Sequence, residues 1–198
     1  MSNIYSFKVR HKDSNKENSI IEKTLEIVYE TGIAGLKMSI LAKRVGVSPS
    51  TLYVYFKTKE DLINSIAFKL INEISDSLDH DIVAAGSFEL GFKAKWLHLF
   101  NFLLNKEREV NFLDQWKQSP YFNKESLGIL KDNMKVASDL FKYGKENGIL
   151  KDLDDKVIHA VMSGIAKQLI AQVKEGFLQI DNTSMDKYYQ LVWDALKK

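Results

Sequence analysis

Apolar residues recur three and four positions apart along almost the whole chain, and runs that alternate apolar with polar residues are missing. Asp-Gly is absent, and the single Asn-Gly, Asn147-Gly148, is not flanked by two alternating runs as a hairpin turn would be. The pattern predicts an all-α protein of about nine helices. A first helix is expected over residues 16–31, with Ile20, Ile21, Thr24, Leu25, Ile27 and Val28 as its inner stripe and Gly32 as its stop. A short second helix follows over 38–45, with Leu41, Ala42 and Val45 inward. A third begins at Ser48 and runs to Phe56. A fourth starts after Thr58, whose hydroxyl can cap it, and reaches about Asp79 on a stripe of Ile63, Ile66, Ala67, Leu70, Ile71 and Ile74. Longer, more aromatic segments are expected near 87–105, 107–118, 124–147, 154–175 and 185–197.

The stretch "GVSPSTLYVYF", residues 46–56, stands apart from this regularity. Two short helices joined by a three-residue turn containing glycine make a helix-turn-helix. Gly46 tolerates the left-handed backbone of the turn. Ser48 can accept from the amide at position 50 or 51, and Pro49 at the first helical position loses no hydrogen bond. Leu52 and Phe56, four apart, turn to the core. Ser50, Thr51, Tyr53, Val54 and Tyr55 then fall on the outer side, with hydroxyls for bases and phosphates and a Val54 methyl for thymine. From pattern alone two readings stand: a helix that reads DNA, or a short capped helix with exposed tyrosines.

Charge adds one point. The formal net charge is +2, but residues 1–60 hold ten Lys/Arg against six Asp/Glu and the remainder holds eighteen against twenty. The basic bias coincides with the helix-turn-helix, and Lys8, Arg10, His11 and Lys12 give residues 1–15 the look of a loose basic arm. Cysteine is absent, which excludes disulfides and thiolate metal sites. No signal peptide and no membrane span is seen, so a cytoplasmic location is expected.

At these positions the chain resembles a known family. "LAKRVGVSPSTLYVYFKTKEDL", residues 41–62, is similar to the N-terminal signature of the TetR (tetracycline-repressor-like) family of transcriptional regulators. The matching residues are Leu41-Ala42, Gly46-Val47-Ser48, Thr51-Leu52-Tyr53, Tyr55-Phe56, Lys59-Glu60 and Leu62, with Ile20, Ile21 and Gly32 before them. The resemblance implies a DNA-binding head over 16–62 and a helical domain over 63–198 that dimerises and binds a small effector. It implies DNA contacts at Ser48, Pro49, Ser50, Thr51, Tyr53, Tyr55 and Lys59, and a homodimer on a palindromic double-stranded operator, acting as a repressor. Lys59 and Tyr53 are expected on phosphates, and Ser50, Thr51 and Tyr55 on bases. Where the family often has threonine before the second helix, this chain has Lys37 with Ser39 just inside, so Lys37 and Lys43 become the candidates for the phosphate there. Thr24 and Val28 replace the usual alanine and phenylalanine of the first helix.

Other chemistry is thin. None of His11, His80, His98 and His159 has a zinc-protease partner at i+3 or i+4, and "LDHDI" at 78–82 reads as a solvated helix end before a metal site. No phosphate-cradling glycine loop and no nucleophile elbow is present. No enzyme activity and no cofactor is expected; a helical protein–protein adaptor is the alternative. Phe88, Phe92, Trp96 and Phe100 share one helical face, as core or as the wall of an effector cavity. The cavity reading takes Trp96, Phe100, Phe112, Trp116, Phe141 and Met162 as lining for an apolar or amphipathic effector, with His98, Gln115, His159 and Gln168 as polar candidates. The apolar stripes carry no clustered charge, which speaks against a highly charged effector. Val161, Ile165 and Leu169 in the 154–175 segment, and Tyr188 and Val192 in the last, form a candidate dimer interface, with Ala160, Gly164 and Ala171 allowing close approach.

Overall fold

The computed structural model describes residues 13–84, 87–124, 126–128 and 135–198, the side chains of 75–84, 135–137 and 182 excepted. Nine longer helices lie among the described residues: α1 (Ser14–Gly35), α2 (Met38–Val45), α3 (Pro49–Tyr55), α4 (Lys59–Ala84), α5 (Phe88–Asn105), α6 (Glu107–Lys117), α7 (Lys135–Glu146), α8 (Asp155–Lys174) and α9 (Asn182–Leu196). The one extended pairing among them is an isolated antiparallel bridge between Leu150 and Lys197. Two compact units divide the chain, residues 1–66 and 67–198.

In the first unit α1 begins at Ser14, two residues before the expected start. Asp13 is the cause: its side chain accepts from the amide of Asn15 at 2.9 Å and caps the helix. Gly32 breaks the helical path as the sequence predicts, with φ 74°, and one further turn follows it. Ile20, Ile27, Val28, Leu41, Leu52, Leu62, Ile63 and Ile66 are almost wholly buried and form the core of the head. Thr24 is also buried, and its hydroxyl donates back to the Ile20 carbonyl at 2.8 Å, so the polar replacement leaves no unsatisfied group. The basic arm over residues 1–12 lies outside the described residues.

The second unit is built on α5, α8 and α9. Phe92, Trp96, Phe100, Leu103, Phe141, Ile158, Met162, Tyr189, Val192 and Trp193 share one buried cluster. The Trp96 indole donates to the Met162 carbonyl at 3.2 Å, which satisfies the one polar atom that this large ring brings into the core. Gly148, at φ 65°, ends α7, and Asp154 caps α8 through the Lys156 amide at 2.8 Å. The end of α9 is fastened to the connection before α8, with the Lys151 amide on the Leu196 carbonyl at 2.9 Å. Between α6 and α7 the segment expected to be helical from 124 shows helical backbone at 124 and 126–128. Residues 129–134 lie outside the description, as do the side chains of the "LDHDI" stretch.

Candidate nucleic-acid interface

The turn between α2 and α3 is set by three residues. Gly46 adopts φ 75°, ψ 34°, and the Val47 amide reaches back to the Ala42 carbonyl at 3.0 Å, closing the end of α2. Ser48 caps α3, its hydroxyl accepting from the Thr51 amide at 3.1 Å, and Pro49 follows at the first position. Leu52 is fully buried and Phe56 nearly so, and these two fix the rotation of α3. The opposite side is open: Tyr53 is 49% exposed and Val54 60%.

Ser48, Ser50 and Thr51 form a small hydroxyl cluster, with the Ser48 oxygen 2.8 Å from that of Ser50 and 2.9 Å from that of Thr51. Lys37, Ser39 and Lys43 are exposed on and beside α2. Lys37 occupies the cap position of α2 without a side-chain cap bond, since its ammonium only donates and the first amides of a helix need an acceptor. Arg44, which the sequence did not single out, is tied to α1 through a two-pronged pair with Glu30 at 3.0 and 2.6 Å. That carboxylate raises the Arg44 guanidinium above its ordinary value and binds the side chain to the scaffold.

Two of the sequence-predicted contacts carry structural duties. The Tyr55 hydroxyl accepts from the Asp13 amide at 3.3 Å and the ring is half-buried. Position 55 stands three residues from Leu52, near the edge of the buried stripe, so the ring turns back toward the start of α1. The phenol expected on a base thus also braces the start of α1. Lys59 donates to the Ile33 carbonyl at 2.8 Å, at the end of α1.

In the second unit the six aromatic and apolar residues expected around an effector divide into two groups. Trp96, Phe100, Phe141 and Met162 belong to the α5–α8–α9 core and are at most 1% exposed. Phe112 and Trp116 are equally buried on α6, where Trp116 meets Phe68 edge-on at 6.0 Å and Phe122 at 5.0 Å. Of the polar candidates, Gln115 donates to Asn111 at 2.7 Å and Gln168 is exposed. Val192, expected at the dimer interface, is completely buried within the protomer, because it shares a face with Tyr189 and Leu196. Val161, Ile165, Leu169 and Tyr188 are half-buried at the edge of the core. Val157 at 46% and Leu191 at 58% are the more open apolar side chains on α8 and α9. No helix of the described residues is long and apolar enough to cross a membrane.

Comparison with known proteins gives the same division of the chain. Residues 20–66 match the family described as bacterial regulatory proteins, tetR family, and residues 67–198 match the tetracyclin repressor-like C-terminal domain. An HTH-type transcriptional regulator of Haemophilus influenzae, described as uncharacterized, is 22% identical over 96% of this chain and 100% of its own. The fatty acid metabolism regulator protein of Bacillus subtilis is 33% identical over 67 residues, 34% of each chain. A TetR family transcription regulator from Marinobacter aquaeolei, known as a crystal structure, superposes with a TM-score of 0.85 at 21% identity, covering 96% of this chain and 99% of that one. With family matches spanning residues 20–198 over an all-helical fold and an outward-facing helix-turn-helix, the chain belongs to the TetR family of DNA-binding transcriptional regulators.

Proposed function

We propose that the protein is a repressor that binds a palindromic operator as a homodimer and leaves it when a small apolar or amphipathic effector binds residues 67–198. The observation that carries the DNA reading is the outer face of α3, where Tyr53 and Val54 stand exposed on a helix rotated into place by buried Leu52 and Phe56. Ser50 and Thr51 read base edges there; Lys37, Ser39, Lys43 and Tyr53 position the backbone, with Ser48 and Pro49 bringing the start of α3 close to it. Lys59, at the start of α4, adds to the same backbone contacts. A dimer sets two such helices one turn of DNA apart, roughly 34–36 Å.

The dimer face in this reading is the outer edge of α8 and α9, with Val157, Val161, Ile165, Tyr188 and Leu191 around Gly164. An alanine-sized side chain at Gly164 would meet no atom within 4 Å, and that open space supports close approach of a second helix. The protein performs no catalysis in this reading and works in the cytoplasm. Genome-wide selection of bound fragments, followed by fluorescence anisotropy and sedimentation, tests it. The expected result is a two-fold symmetric site bound by two chains. A protein that sediments only as a monomer at micromolar concentration and retains no genomic fragment overturns it.

A further inference from the structure

The start of the head fixes where the chain ahead of it begins. Asp13 is held by its amide, its carbonyl and its side chain. The amide donates to the Tyr55 hydroxyl at 3.3 Å, the carbonyl accepts from the Glu17 amide at 3.0 Å, and the side chain accepts from the Asn15 amide at 2.9 Å. The first of these bonds reaches across 42 positions to the last residue of α3. The chain therefore enters α1 beside the end of the helix that carries Tyr53 and Val54 outward. The sequence ahead of Asp13, "MSNIYSFKVRHK", holds Lys8, Arg10, His11 and Lys12 and no Asp or Glu. Within the head, the carboxylates of Asp13, Glu26, Glu30 and Asp61 already accept from the Asn15 amide, Lys23, Arg44 and the Lys57 amide. An anion for the leading cations is therefore supplied best from outside the protein.

Length and width decide which surface those cations meet. Lys8 stands five positions before Asp13, and five residues of extended chain span at most about 17 Å. With α3 in the major groove, that reach takes in the phosphates at its border and the minor groove next to it. A helix needs the major groove, about 12 Å wide, whereas a single extended chain fits the minor groove, about 6 Å wide. Lys8, Arg10 and Lys12 alternate with Val9 and His11, so an extended chain carries the three cations on one side. The minor groove attracts Arg and Lys most where A·T runs narrow it.

We infer that residues 8–12 are a second DNA-binding element, laid along the minor groove that adjoins each half-site and anchored beside α3 by the Tyr55–Asp13 bond, with Lys8, Arg10 and Lys12 on the DNA. The inference rests on the proposed docking of α3 in the major groove. It makes Tyr55 a positioning residue that acts through Asp13. It also gives each half-site a flank of base pairs that α3 does not touch. That flank is read only as A·T against G·C, because A·T and T·A present the same acceptors in the minor groove and G·C adds an amino group.

Anisotropy titrations of the full chain at several salt concentrations test this, on a genomic fragment that the protein retains and on a random-sequence duplex of the same length. In a chain carrying Lys8→Gln, Arg10→Gln and Lys12→Gln together, the salt slope is expected to fall by about two to three per protomer, and affinity by about tenfold or more. Tyr55→Phe keeps the ring and removes the acceptor. It is expected to weaken binding about threefold in the natural chain and to cost much less in the triple variant, whose arm is already neutral. Fragments built with A·T, G·C or inosine·C pairs on both flanks of each half-site report the groove, since inosine·C lacks the minor-groove amino group and keeps the major-groove pattern of G·C. A·T and inosine·C flanks are expected to bind alike and G·C flanks about threefold or more weakly, with the difference gone in the triple variant. Circular dichroism checks the folding of Tyr55→Phe; the triple variant changes nothing from Asp13 onward, so its result stands by itself. A slope unchanged in the triple variant overturns the arm and leaves the α3 docking standing. An equal cost of Tyr55→Phe in both chains overturns the anchor, and equal binding to all three flanks overturns the minor-groove placement. A natural chain that binds neither duplex overturns arm and α3 docking together.

Discussion

Single side chains in the head separate positioning from reading. Lys43 is exposed on α2 and faces the DNA backbone in the proposed complex. Lys43→Ala is expected to weaken binding to all sequences about equally and to reduce the salt slope by about one. Ser50→Ala is expected to act differently, changing preference at one base pair by about 1–3 kcal/mol at constant slope. Anisotropy titrations at several salt concentrations, on operators substituted one base pair at a time, distinguish the two; a base preference altered by Lys43→Ala would mean that α3 docks otherwise. His159 gives a prediction in pH. Its folded value is depressed below 6.5, first by burial and then by Lys117, Lys95 and Lys167. The unfolded chain therefore binds the proton more readily, and stability is lost as pH falls through the ordinary histidine range. Urea midpoints are expected to drop between about pH 7.5 and about pH 5.5, and His159→Gln to make that drop smaller. An equal drop in the variant would assign the loss to other groups.

Elements were legible in the sequence wherever their signals are local. The α2–α3 turn is written in Gly46, Ser48 and Pro49, and each does what its chemistry requires. Gly32 and Gly148 mark breaks for the same reason, both holding positive φ. Partners from distant helices were not legible. Tyr55 reads as an outward phenol until Asp13 is seen beside it. Val192 looks like an interface residue until its level against Tyr189 and Leu196 is known. The glycines of the second unit show the same dependence on neighbours. A methyl group at Gly144 would lie 2.5 Å from the Phe88 ring and 2.8 Å from Leu150. Gly144→Ala is therefore expected to destabilise by about 1–3 kcal/mol through overpacking. Gly164→Ala, in open space on a helix, is expected to stabilise the protomer by about 0.4–1 kcal/mol. Chemical denaturation of the two variants, with equal effects as the contrary outcome, checks this packing.

At the scale of the whole molecule the proposed function depends on two copies. Leu191 is exposed and contributes little to the protomer core, so Leu191→Glu is expected to leave the thermal midpoint of the protomer nearly unchanged. In the proposed dimer the same change buries a carboxylate without a partner and is expected to raise the dimer dissociation constant about tenfold or more. Sedimentation equilibrium measures it, and unaltered dimers would move the interface elsewhere. The bond from Lys59 to the Ile33 carbonyl bears on how such a dimer chooses its DNA. It rivets the first turn of α4 to the end of α1, while Tyr55 fastens α3 to the beginning of α1. These two bonds tie α3 and the first turn of α4 to α1, so in the proposed dimer the head would act as one piece. In the proposed dimer such a head would serve as a caliper, measuring the gap between half-sites and leaving the letters within each half-site alone. Lys59→Met is expected to loosen the jaw, so that operators lengthened or shortened by one base pair are penalised less, and competition between spacer variants reads that tolerance directly.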